Sequence, residues 1–102
     1  GARGAELALA VDCEALLRAS GARSLNAPAA RAAALQGLAA LAALHQPSGL
    51  LFESAELLCL GDAGNAMEAP PLVEELAFAP ELQDVRLVAA GGGAPRLPSH
   101  AL

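Results

Sequence analysis

Two cysteines and two histidines are the residues of this chain best suited to bind a metal or to act as nucleophiles. Cys13 and Cys59 do not form a CxxC pair, and neither His45 nor His100 stands at ligand spacing from either of them. Structural zinc sites need close pairs of ligands, so this pattern does not predict zinc. Both cysteines sit in apolar runs, which predicts buried thiols. The alternative, which the sequence does not decide, is a disulfide between them in an oxidising compartment.

The other candidates for acid–base or metal chemistry are one histidine and several carboxylates. We expect His45 to end a helix beside its C-terminal dipole, because the sequence offers it no catalytic partner. An acid–base site would need Glu53 or Glu56 next to it. The acids have no EF-hand spacing, and exposed acids on an acidic protein are usually solvated. The acids concerned are Glu53, Glu56, Asp62 and Glu68.

Nucleotide and serine-hydrolase motifs are missing as well. The run Gly91-Gly92-Gly93 matches neither GxGxxG nor a P-loop, and none of the serines has a GxSxG context. The sequence therefore predicts a protein that is not an enzyme, with no catalytic residue, no cofactor site and no metal site.

The composition indicates one small domain. Its 102 residues are 55% hydrophobic and 17% charged, which is typical of a globular chain. Lys, Ile, Thr, Tyr and Trp do not occur, and Val is the only β-branched residue. Because Ala and Leu favour helices, the composition favours an α or α+β fold.

The charge balance excludes some partners. A net charge of −5, six arginines and two phenylalanines do not provide the basic surface or the stacking platforms that nucleic acids need. The longest weakly charged run, residues 27–44, carries Arg31 and is mostly Ala, so we predict no membrane span in it. The chain starts at Gly1 without a signal peptide, which suggests a domain of a longer protein.

The N-terminal third favours helices. Asp12 is a candidate cap for a helix over Cys13–Ser20 that stops at Gly21. Residues before Asp12 alternate in hydrophobicity, which allows a short strand, but we prefer a single helix from Ala5. Asn26 is the candidate cap of a long helix that runs to about Leu44. Its leucines would form a wide apolar stripe; they are Leu35, Leu38, Leu41 and Leu44.

Residues 50–60 allow two interpretations. We favour two short paired strands with a bend at residues 54–56; the alternative is one strand followed by a helical turn that ends at Gly61. A short helix over Pro71–Phe78 follows, with Leu72, Val73 and Leu76 inward. Residues 85–88 are the clearest strand. The predicted domain spans residues 1–94, with a lead-in (1–26), a core unit (27–90) and a flexible tail (95–102).

The order of these elements resembles a known family. An Ala/Leu-rich helix leads into Pro47-Ser48-Gly49, an apolar strand over residues 50–54, a segment over 58–63, a helix, and residues 79–87 ending in Asp-Val-Arg-Leu. This resembles the periplasmic domains of the bitopic assembly-platform proteins of type IV pili and type II secretion, the PilN and GspL type. The family has a longer hairpin between the positions matching Gly49 and Gly61.

The resemblance implies a ferredoxin-like α+β fold, with a long N-terminal helix on a short, mostly antiparallel sheet. It also implies a non-enzymatic scaffold that pairs with itself or with a sister subunit. Such a scaffold works at the periplasmic face of the inner membrane, with an anchor outside this sequence. The alternative is a helical interaction domain of a larger cytosolic protein, with residues 50–60 helical.

An exposed strand edge offers a route to pairing. The interface candidates lie on the two clearest strands; they are Leu51, Glu53, Arg86 and Val88. Arg86 sits between apolar neighbours, and strand alternation places it outward. We favour a solvated guanidinium there over an interface ion pair.

Overall fold

The protein folds as a three-stranded parallel sheet with helices in the connections. The computed structural model describes residues 7–91 and residue 97. Three strands and three helices follow one another as β1 (Ala8–Asp12), α1 (Cys13–Ser20), α2 (Pro28–His45), β2 (Gly49–Glu53), α3 (Pro71–Phe78) and β3 (Arg86–Ala89). Short 3-10 helices span Ala55–Cys59 and Pro80–Leu82.

The sheet has the strand order β1-β2-β3, and both pairings are parallel. Ala8 pairs with Gly49, and Gly49 pairs with Arg86. Parallel neighbours need a long crossover, and the helices supply it. The predicted ferredoxin-like fold, with its mostly antiparallel sheet and long N-terminal helix, is therefore wrong: the first described element is a strand, and the longest helix is the second one.

Two local predictions, for residues 8–12 and for residues 50–60, are wrong. Residues 8–12 form β1 rather than helix, because pairing with β2 puts Val11 into the core. Residues 50–60 form one strand and a 3-10 helix, not a strand pair. Ser54 takes a left-handed conformation (φ 56°) between them, which turns the chain out of the sheet.

The candidate cap Asp12 and the stop at Gly21 are confirmed for α1, but the helix begins at Cys13 and not at Ala5, the preferred start. The Asp12 side chain accepts hydrogen bonds from the backbone N–H groups of Glu14 and Ala15. At the other end Gly21 adopts φ 70°, the left-handed conformation that ends helices. The sequence therefore determines this helix locally.

The longest helix, α2, begins at Pro28 behind Ala27, and no side chain caps it. The predicted leucine stripe is only partly correct, because Leu44 is 77% exposed. The buried residues recur every four positions instead, and small side chains dominate them; they are Ala30, Ala34, Leu38 and Ala42. Small residues let the helix lie close to its neighbours.

Asn26 does not cap α2 but joins its own segment to two others, residues 58–60 and the start of α3. Its Nδ2 donates to the carbonyl oxygens of Leu58 (2.9 Å) and Leu60 (3.1 Å). Its Oδ1 accepts from the backbone N–H of Leu72 at 2.8 Å. Since α3 has no side-chain cap of its own, Asn26 caps it from a distant part of the chain.

All helices pack on the same side of the sheet. The helix α2 contacts both α1 and α3, and the core cluster joins inward strand residues to helix residues. In α3, Leu72 and Leu76 are buried as predicted. Residues of the predicted lead-in, Cys13 and Leu25, belong to the same core. Of the predicted tail, only Leu97 lies within the described residues, and it packs against this core.

Candidate interaction surface

The two faces of the sheet differ because more buried and more exposed residues alternate along every strand. In β2, Leu50 and Phe52 are buried while Leu51 and Glu53 are exposed. The strands β1 and β3 repeat the pattern in register with it. One face therefore builds the core beneath the helices, and the other faces solvent. We call the second one the bare face; it consists of Ala8, Ala10, Asp12, Gly49, Leu51, Glu53, Arg86 and Val88.

The centre of the bare face is apolar. The register places Ala10, Leu51 and Val88 side by side across the three strands. Leu51 is 36% exposed and Val88 is 43% exposed. Parallel sheets are normally covered on both faces, because their crossover helices pack against them. In this parallel sheet the apolar row is instead open to solvent.

Charges of opposite sign flank this apolar row, one sign towards each end of the strands. Arg86 stands at the amino end of β3, while Asp12 and Glu53 stand at the carboxyl ends of β1 and β2. The ion pairs found within residues 7–91 join other groups, Arg18 to Glu14 and Arg31 to Glu75. Arg86 and Glu53 therefore present their charges to solvent.

The four interface candidates from the sequence all lie on the bare face. Arg86 is exposed, as strand alternation predicts, and Leu51, Glu53 and Val88 share its side of the sheet. The sequence did not predict the contribution of β1, Ala10 and Asp12, because that segment was interpreted as helix. The alternation of Leu7, Leu9 and Val11 was the pattern that could have identified it.

The carboxyl edge of the sheet is where α/β proteins commonly bind ligands. Here it holds Cys13, buried beside Asp12, Glu53 and Glu56. Burial, together with the negative charges of these acids, raises the pKa of the Cys13 thiol to about 12. A thiol of this kind stays protonated and is a poor nucleophile. Among the described residues, no group of three or more His, Cys, Asp or Glu side chains is placed to hold a metal ion.

The two cysteines are free thiols that differ in accessibility. Cys13 is fully buried, whereas Cys59 is partly exposed, and burial raises the pKa of Cys59 too. We expect iodoacetamide at pH 8 to alkylate Cys59 well before Cys13, because thiolate formation and access both favour it. Peptide mass spectrometry over time checks this order. Equal rates, or faster reaction at Cys13, would contradict the packing around α1.

The raised pKa of Cys13 also gives a pH dependence. Because the folded-state pKa exceeds the unfolded value, the stability it contributes is complete below about pH 9 and is lost as pH rises towards about 12. We expect the free energy of unfolding to fall over this alkaline range in the wild-type protein. Cys13→Ala should remove part of the pH slope, measured by urea denaturation at several pH values.

His45 lies away from the carboxylates that an acid–base site would need. It is the last residue of α2 and is exposed. The chain enters β2 four residues later, at Gly49, whereas Glu53 ends that strand. The five residues of β2 extend over roughly 13 Å, so His45 lies near the amino end of this strand and Glu53 at its carboxyl end. The hypothetical acid–base site is not assembled.

None of the described helices is both long and apolar enough to span a membrane. Comparisons of the chain with models of protein families, with curated proteins and with solved structures gave no match.

Proposed function

We propose that this chain is a non-enzymatic protein–protein interaction module that pairs with a second copy of itself through the bare face. The observation that carries the proposal is an all-parallel sheet whose bare face has an apolar centre open to solvent. Covering Leu51 and Val88 would remove apolar surface from water, which favours association.

The charges of the bare face suit a second copy. A two-fold axis that runs across the strands, between two stacked sheets, lays the amino end of one sheet over the carboxyl end of the other. Arg86 of each copy then meets the end that carries Asp12 and Glu53 of the other, while the apolar rows meet at the centre. The same patch therefore serves both partners, as an isologous interface requires.

The size of the bare face sets the strength of the pairing. Three strands spaced about 4.8 Å apart, with five residues rising about 3.3 Å each, cover roughly 240 Å². Standard interfaces bury about 800 Å² on each partner. We therefore expect a weak dimer that dissociates on dilution.

Sedimentation velocity over a concentration series tests the proposal. Leu51→Asp should raise the dimer Kd at least about tenfold, because it puts a charge into the apolar row. Arg86→Glu and Glu53→Arg should each weaken the dimer, and the double variant should recover most of the affinity. Arg23→Glu is the matched control, since it makes the same charge change at an exposed site outside the sheet.

A protein that is monomeric at every concentration would contradict pairing with itself. So would a dimer that Leu51→Asp leaves unchanged. Placement in a type IV pilus or type II secretion platform, at the periplasmic face of the inner membrane, depends on the sequence resemblance alone and stays a prediction. The ferredoxin-like fold that the same resemblance implied is wrong.

A further inference from the structure

A second apolar surface lies on the opposite layer of the molecule, between α2 and α3. It is an open groove of about 520 Å³. Leu35 and Ala39 of α2 form one wall, and Phe78 at the end of α3 forms the other. The chain has two phenylalanines; Phe52 is fully buried in the core, whereas Phe78 is 81% exposed. Aromatic side chains, phenylalanine among them, are enriched at protein–protein interfaces.

The rim of the groove is acidic. Glu74, Glu75 and Glu81 line it, and Arg31 pairs with Glu75 at 2.7 Å. Within the described residues, no cation forms an ion pair with Glu74 or Glu81. A segment that fills this groove therefore gains most if it carries arginine or lysine next to an apolar side chain.

A second copy of this chain is a poor occupant of the groove. Each copy has a net charge of −5, no lysine and only six arginines. Two copies joined groove to groove would bring their acidic rims together, and like charges disfavour such contact. The bare face differs, because it carries charges of both signs.

We infer that the groove between α2 and α3 binds a cationic amphipathic segment of a different protein, with an apolar side chain against Phe78 and basic side chains at Glu74 and Glu81. The module would then hold two partners on separate surfaces, a second copy at the sheet and another protein at the helices. This inference does not depend on pairing through the bare face.

Fluorescence polarisation tests it with a labelled helical peptide of about 14 residues, with leucine on one face and arginine on the other. A second peptide with glutamate in place of arginine is the control ligand. We expect binding of the arginine peptide only, weakened at least about tenfold by Phe78→Ala. Leu44→Ala is the matched control variant, because Leu44 is a similarly exposed apolar residue of α2 outside the groove lining. The double variant Glu74→Gln, Glu81→Gln should lower the affinity and its salt dependence.

Failure of the inference is distinguishable from failure of the proposed pairing. Leu51→Asp should leave peptide binding unchanged, and Phe78→Ala should leave the dimer Kd unchanged. No binding of the arginine peptide, or equal binding by Phe78→Ala, would overturn the groove as a docking site. Loss of self-association in Phe78→Ala would show that a second copy occupies the groove, which also overturns it.

Discussion

Asn26→Ala is expected to lower the free energy of unfolding by about 3 kcal/mol. The substitution removes the donor to the carbonyl oxygens of Leu58 and Leu60 and the acceptor for the N–H of Leu72. Asn26 is only 7% exposed, so water cannot readily replace these bonds. Each buried polar group left without a partner costs about 1–3 kcal/mol. Urea denaturation followed by circular dichroism measures the loss.

The control for this substitution is Asn65→Ala, the same change at an exposed loop position. It should alter stability by less than about 0.5 kcal/mol. Asn26→Asp adds a sharper comparison, because it keeps an acceptor for Leu72 but turns the donor into a carboxylate facing two carbonyl oxygens. At neutral pH we expect Asn26→Asp to lower the free energy of unfolding at least as much as Asn26→Ala does. Wild-type stability in Asn26→Ala would show that Asn26 does not connect these segments.

Phe52→Ala should cost about 4 kcal/mol, a large part of the stability of a domain this small. Phe52 is fully buried at the middle strand of the sheet, beneath the helices. Its neighbour Leu51 points to the other face and is 36% exposed. Leu51→Ala, measured at a concentration where the protein is monomeric, should therefore cost less than about 1 kcal/mol.

This pair of substitutions tests the orientation of β2 directly. A shift of one residue in strand register moves every side chain to the other face. Similar losses for Phe52→Ala and Leu51→Ala would contradict the assignment of one buried and one bare face. A larger loss for Leu51→Ala would mean that the two faces are exchanged.

The parts of the fold that local chemistry determines were predictable from the sequence. Asp12 and Gly21 define the ends of α1, and Pro71 marks the start of α3, since capping and turn preferences act within a few residues. The strand β3 was predictable from its apolar alternation.

The parallel sheet was not predicted, because its evidence is spread over distant segments. Ala8 and Ala10 are poor strand residues, and only pairing with β2 makes their segment a strand. Interpreting it as helix concealed the alternation of strands and helices that is typical of parallel sheets. The hydrogen bonds of Asn26 go to residues 32 to 46 positions away in the sequence. The residues next to Asn26 therefore indicated only that it caps the helix that follows it.

The strand order β1-β2-β3 also determines how this chain can fold. Paired residues are far apart in sequence, as Ala8 and Gly49 or Gly49 and Arg86 show, so no hairpin can nucleate the sheet. Closing such large loops costs entropy before any strand pair forms, which slows folding relative to helical domains of similar length. The helices should therefore form first and the sheet last. Until β3 has been synthesised, the edge of β2 that pairs with it has no partner within the chain, and unpaired strand edges favour aggregation.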